Sequence, residues 1–114
     1  MSKTIFEKIL DGEINAEIIF ENTDVIAFKD INPQAPVHIL VIPRKKASRM
    51  SELTEWETLD AGSFIKAVSL VASELGLDQD GYRVVINNGK HGGQEVEYLH
   101  AHILAGRQMK WPPG

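Results

Sequence analysis

An α+β domain with a five-stranded antiparallel sheet and two helices is the fold this sequence predicts. Five short runs rich in β-branched and aromatic residues are separated by turn residues, the pattern of strands joined mostly to their neighbours. Only two stretches place apolar residues at helical spacing, one at the start of the chain and one in its middle. The length of 114 residues, without repeat, linker or low-complexity tract, suits a single domain over residues 1–114.

In chain order, Ile5, Phe6, Ile9 and Leu10 recur at helical spacing, with Ser2 or Thr4 as the cap and Asp11-Gly12 as the stop. Ile18-Ile19-Phe20 and Val25-Ile26-Ala27-Phe28 flank the polar turn Glu21-Asn22-Thr23-Asp24 and predict a hairpin. Two prolines make Asp30 to Pro36 a loop. Val37 to Ile42 is apolar except for His38 and reads as a third strand ended by Pro43. Thr54-Glu55-Trp56-Glu57 matches a capping box. It leads into a long helix whose apolar stripe is Leu59, Phe64, Ile65, Val68, Val71, Ala72 and Leu75, with Gly76 at its C-terminal cap. Tyr82 to Ile86 predicts a fourth strand, Asn87 to Gln94 a glycine-rich loop, and Tyr98 to Leu104 a fifth strand.

Composition excludes several classes of function. Hydrophobic residues at 43% and charged residues at 25% are ordinary for a soluble protein. Twelve basic against sixteen acidic side chains give a net charge of -4, so no global field favours DNA or RNA, although a small nucleotide needs only a local site. The absence of cysteine removes disulfides, thiolate zinc sites and a cysteine nucleophile. The first residues carry acid early, at Glu7, and lack a long apolar core, unlike a signal peptide. No apolar run approaches the roughly 18 residues of a membrane span, and a cytoplasmic protein is the expectation.

The chemistry points to the histidines. His100 and His102 stand two apart in an apolar run, so on a strand they share one face about 7 Å apart, while Leu99, Ala101 and Ile103 face a core. Such a pair suits a nucleophile, an acid–base couple or a metal site, and equally a half-buried edge strand that tolerates histidine. His38 needs a hydrogen-bond partner if buried, whether it serves the core or the site. The glycines of the Asn88–Gln94 loop can offer backbone N–H groups to a phosphate, or merely join two strands. Gln94 closes that loop and counts among its phosphate-side residues, whereas His91 reads as incidental. Asp30 is either a turn-capping carboxylate or an acceptor for two ribose hydroxyls. Trp111-Pro112-Pro113 is too apolar and stiff for a frayed tail and is expected to dock on its own domain or on a second subunit.

At the level of motifs, essentially the whole chain resembles the histidine triad nucleotide-binding proteins, in the branch of purine nucleoside phosphoramidate hydrolases. The resemblance rests on Ile5-Phe6-Glu7-Lys8-Ile9, Phe28 to Pro36, His38 to Pro43, Asn87 to Gln94, and Gly106 to Gly114 ending in Trp-Pro-Pro-Gly. It implies a homodimer with one ten-stranded sheet, a purine nucleotide pocket in each subunit, and no metal or cofactor. It also implies that His100 attacks the α-phosphorus while His102 and His38 bind phosphoryl oxygens. Asp30 would hold the ribose, Ile9, Phe28 and Ile31 the purine, and Asn87 with the Gly93 backbone the phosphate. Trp111 would reach toward the partner's site. Two positions depart from the family pattern. Tyr98 replaces a supporting histidine, and because a phenol both donates and accepts, activity is expected to survive with altered positioning. Glu95 replaces a serine that assists proton delivery to the leaving amine, a role a carboxylate fills only when protonated. Three alternatives stay open at this stage: a zinc site of His38, His100 and His102, a non-catalytic nucleotide-binding protein, and a dinucleoside polyphosphate hydrolase.

Overall fold

Thr4 opens the first helix of the computed structural model, which describes residues 2–114. Its hydroxyl accepts from the Glu7 N–H, and the Glu7 carboxylate accepts from the Thr4 N–H, a reciprocal capping box over α1 (Ile5–Leu10). Asp11 caps the other end and Gly12 turns away at φ 78°, as the Asp-Gly pair predicts. The hairpin forms from β1 (Ile18–Glu21) and β2 (Val25–Lys29), its turn held by the Asn22 carboxamide oxygen accepting from Asp24 and Val25 N–H. β3 (Val37–Pro43) follows, and Pro43 belongs to the strand.

The sheet order is β1-β2-β3-β5-β4, with β4 covering Arg83–Val85 and β5 covering Ala101–Ala105, and every adjacent pair is antiparallel. Its two faces bury different cores. Val25, Ala27, Ile39, Val41, Ala101 and Ile103 point to the long helix α2 (Thr58–Glu74) and meet Phe64, Val68 and Val71. Ile26, Phe28, Leu40, Ile42 and Tyr98 point the other way and meet Phe6 and Ile9 of α1. The period of two along each strand therefore sends His38 and His102 to the α1 side, opposite α2. No helix among the described residues is long and apolar enough to cross a membrane.

Several expectations are corrected. The Thr54–Glu57 capping box does not form: Met50–Glu55 is a 3-10 turn, the Thr54 hydroxyl donates to the Ser51 carbonyl, and α2 starts at Thr58 after an extended Trp56. Leu53 and Trp56 pack against the sheet core, which pulls this segment off the helix axis. Leu59, Ile65 and Leu75 are exposed, so the buried stripe of α2 is Phe64, Ala67, Val68, Val71 and Ala72. Gly76 follows the Leu75 cap at φ 73°, the left-handed position after a helix end. The fourth strand is shorter than Tyr82–Ile86. The glycine-rich loop holds a single helical turn, α3 (Gly89–Gly92). The fifth strand begins at Ala101 rather than Tyr98, and it is interior, between β3 and β4, not an edge.

Candidate active site

Antiparallel pairing of β3 and β5 brings the histidines together. Leu40 lies opposite His102 and His38 opposite Leu104, so His38 and His102 are diagonal neighbours on one face. Their Nε2 and Nδ1 atoms are 2.9 Å apart. His100 stands two residues earlier, its ring centroid 5.0 Å from that of His102 and edge-on to Phe6 at 4.9 Å. Both His38 and His100 are buried.

Each ring's hydrogen bonds determine where its proton resides. The Tyr98 carbonyl can only accept, so His100 Nδ1, 2.6 Å away, must donate to it. That leaves the Nε2 lone pair of His100 free. No buried side-chain nitrogen or oxygen among the described residues lacks a partner, so this unbonded Nε2 opens to the cavity. His38 is the reverse: its Nδ1 accepts from the Gln34 N–H at 3.0 Å, so its proton sits on Nε2 and is donated to His102 Nδ1. Neutral His102 must then carry its own proton on Nε2. The array thus presents one nucleophilic lone pair beside one N–H donor, with His38 fixing the donor's tautomer.

Burial keeps all three rings neutral. It lowers the pKa of His38 and His100, against the pull of Asp30 on both and of the Tyr98 carbonyl and Glu95 on His100. His102 is pushed down to about 4 by burial first and by the neighbouring rings of His100 and His38 second.

The Tyr98 peptide is anchored from both sides. Its phenol, buried and pushed up to about 12 by burial, donates to the Pro43 carbonyl at 2.5 Å. Leu99 N–H, in the same peptide plane as the Tyr98 carbonyl, donates to Ala47 at 2.7 Å. The carbonyl that orients His100 is therefore itself held by the loop after β3.

A cavity of about 470 Å³ opens over the rings. Ile5, Phe6 and Ile9 of α1, with Phe28, Leu40 and Ile31, give it an apolar side, and Ile31 is 98% exposed at its lip. Asn87, Gly93 and Glu95 add a polar part to its wall. Asp30 borders the cavity, accepts from the Asn32 N–H, and stands 3.4 Å from His38 Nε2, so the turn-capping reading of Asp30 holds while its second oxygen still faces the site.

Two predicted residues lie elsewhere. Gln94 does not line the cavity: its side chain accepts from the Gly89 N–H and donates to the carbonyls of Ser48 and Val96, bracing α3 from behind. Trp111 is 81% exposed and does not dock on its own domain. The three-histidine metal set does not assemble either. The clustered donors are Asp30, His38 and His102, and His100 is not among them. The 2.9 Å between His38 and His102 is a hydrogen bond, shorter than the about 3.3 Å that separates two nitrogens on a tetrahedral zinc ion.

The residues that sequence reasoning missed act through their backbones. The Gln34 N–H fixes His38, while the Gln34 carbonyl accepts from Arg107 at 3.1 Å. Gly106, at φ 92°, lies so close to Pro36 that a Cβ there would sit 2.8 Å from the proline Cβ. No side-chain chemistry marks such positions; only the Gly-Arg pair after the last strand hints at them.

Comparison with known proteins agrees with this fold. The model of the HIT domain family matches residues 11–109. A "14 kDa zinc-binding protein" of Zea mays is 47% identical over 99% of this chain and 89% of its own length. The crystal structure of a HIT family hydrolase from Legionella pneumophila superposes with a TM-score of 0.92 at 41% identity, covering 98% of this chain and 100% of that one. A histidine triad nucleotide-binding protein from Candida albicans does so at 0.80 and 28%, covering 96% and 83%. With its fold and nearly its full length matched, this chain belongs to the HIT domain family.

Proposed function

We propose that this protein hydrolyses purine nucleoside 5′-phosphoramidates to a nucleoside monophosphate and an amine. One observation carries the reading: His100 presents an unprotonated Nε2 to the cavity, its other nitrogen committed to the Tyr98 carbonyl. The hydrolase designation of the Legionella neighbour and the nucleotide-binding designation of the Candida neighbour support it.

In the first step His100 Nε2 forms a bond to the α-phosphorus as the P–N bond to the amine breaks. The amine leaves with a proton drawn from solvent at the open polar wall and relayed through Glu95. In the second step a water oxygen attacks the nucleotidyl-histidine as its proton passes through Glu95 back to solvent, the phosphorus–histidine bond breaks, and the ring regains its lone pair. Dividing the displacement in this way is the general benefit of covalent catalysis. His102 Nε2–H donates to a phosphoryl oxygen as charge develops there, and His38 holds His102 in that tautomer. Asp30 takes the ribose hydroxyls, Ile9, Phe28 and Ile31 enclose the purine, and Asn87 with the Gly93 backbone lines the phosphate.

The active species in this reading is a homodimer. Ile65 and Leu70 on α2 and Val84 on the edge strand β4 are large, apolar and exposed, and pairing β4 with its copy would extend the sheet to ten strands. A second subunit would also give the exposed Trp111 something to dock on.

The test is AMP release from adenosine 5′-phosphoramidate, with and without EDTA, by the native protein and by His100→Ala. EDTA-insensitive release that is lost in the variant supports the proposal. Release by the variant at a comparable rate contradicts it, and sensitivity to EDTA would restore the metal reading.

A further inference from the structure

Glu95 is the one charged side chain on the cavity wall that makes no ion pair or hydrogen bond among the described residues. Of the others, Asp30 is tied to Asn32 and His38, and the Lys29 ammonium lies 2.8 Å from the Glu17 carboxylate. No arginine borders the cavity. The three histidines are held neutral by burial. The site therefore faces its ligand with two carboxylates and no uncommitted cation. It receives phosphate through neutral N–H donors alone.

Position within the cavity gives Glu95 its consequence. With the purine on the apolar side and phosphorus at His100, beside Asn87 and the Gly93 backbone, the departing group leaves within reach of Glu95, which lines the same cavity. Glu95 is exposed there, and its charge reaches the nucleophile, where it favours the protonated ring.

We propose that Glu95 makes the site select its substrate by the charge of the leaving amine. Amines that carry a second, cationic group are favoured over amines that carry an anionic one. This deepens the phosphoramidate reading and rests on it. The same field opposes a polyphosphate leaving group, which brings several negative charges to a wall with nothing to pair them. Because Glu95 is solvent-exposed, each charge on the leaving group changes specificity only a few-fold, and salt screens the effect.

The experiment compares three adenosine 5′-phosphoramidates of similar length. Their amines end in an ammonium, a methyl group and a carboxylate. Values of kcat/KM are measured at low and at 0.5 M (about) salt for the native protein and for Glu95→Gln, which keeps the side chain's shape without its charge. The native protein is expected to rank ammonium above methyl above carboxylate, with the ends about tenfold apart at low salt. In Glu95→Gln, or at high salt, the three should converge to within about twofold. Loss of the proton relay slows all three alike, so the ratio isolates the charge effect. Equal native rates, or the same ranking in Glu95→Gln, would overturn the inference. If none of the three is hydrolysed, the phosphoramidate reading fails by itself. Competition of the same compounds against AMP binding then reads the charge preference: the same ranking, lost in Glu95→Gln, upholds it, and equal binding overturns it.

Discussion

His100 Nδ1 lies 2.6 Å from the carbonyl oxygen of Tyr98, and that contact determines which nitrogen of the ring is able to attack. Tyr98 thus contributes to the site through its backbone. Its phenol serves as an anchor on Pro43. Tyr98→Phe removes the anchor and leaves a buried carbonyl unpaired, a loss of about 1–3 kcal/mol in stability. It should lower kcat several-fold with little change in KM, because orientation of the nucleophile rather than nucleotide binding is disturbed. Thermal unfolding and steady-state kinetics on the one variant check both parts.

Stability should fall as the solution is acidified from about pH 6.5 toward pH 4. His102 has a folded pKa pushed down to about 4 from an ordinary 6.5, so within that window the unfolded chain binds a proton that the folded one refuses. Its neutral form is stabilising above pH 6.5, and that contribution shrinks as pH drops, by on the order of 2 kcal/mol after allowance for partial exposure. The lowered His38 and His100 act in the same direction. Denaturant midpoints at pH 7 and pH 4.5 measure the drop; in His102→Asn it should be smaller.

Gly106→Ala should damage the site from outside it. The new Cβ meets Pro36 at 2.8 Å, and the backbone there holds φ 92°. Strain of about 1–2 kcal/mol follows. A displaced Pro36 also moves Gln34, whose N–H fixes His38. Melting temperature should fall by several degrees and kcat/KM by about tenfold or more. A variant with native activity would show that the loop from Asp30 to Pro36 adjusts without moving His38.

Much of this was legible in the sequence because it is local. Asp11-Gly12 ended a helix, Asn22 closed a hairpin, and the spacing of His100 and His102 put both rings on the wall of one cavity. What stayed hidden depends on distant parts of the chain. The His38–His102 bond exists only through the β3–β5 register across 64 residues. The start of α2 was misread because Trp56 is drawn into the core, which outweighs a capping box. Gln94 carried no sign that its amide would face inward to Ser48 rather than outward to a phosphate. Leu59 and Ile65 fit a helical stripe yet are exposed, since periodicity marks an apolar face without saying what covers it.

That uncovered face yields a prediction of its own. Ile65→Asp combined with Val84→Lys puts a charge in place of an apolar residue on α2 and on the sheet edge, and should convert the proposed dimer into a folded monomer. Sedimentation velocity reads the change in mass, and far-UV circular dichroism verifies that the fold is retained. A native protein that sediments as a monomer at micromolar concentration would remove the ten-stranded assembly.

The central claim is that His100 becomes covalently nucleotidylated, and an intermediate can be caught directly. The protein would be mixed with excess adenosine 5′-phosphoramidate, quenched within milliseconds in alkaline denaturant, where a phosphorus–histidine bond survives, and digested for mass spectrometry. An adenylyl group on His100, absent when the substrate is omitted, is the result predicted. Rapid AMP release with no adduct, or an adduct on His38 or His102 instead, would contradict the assignment of His100 as the nucleophile.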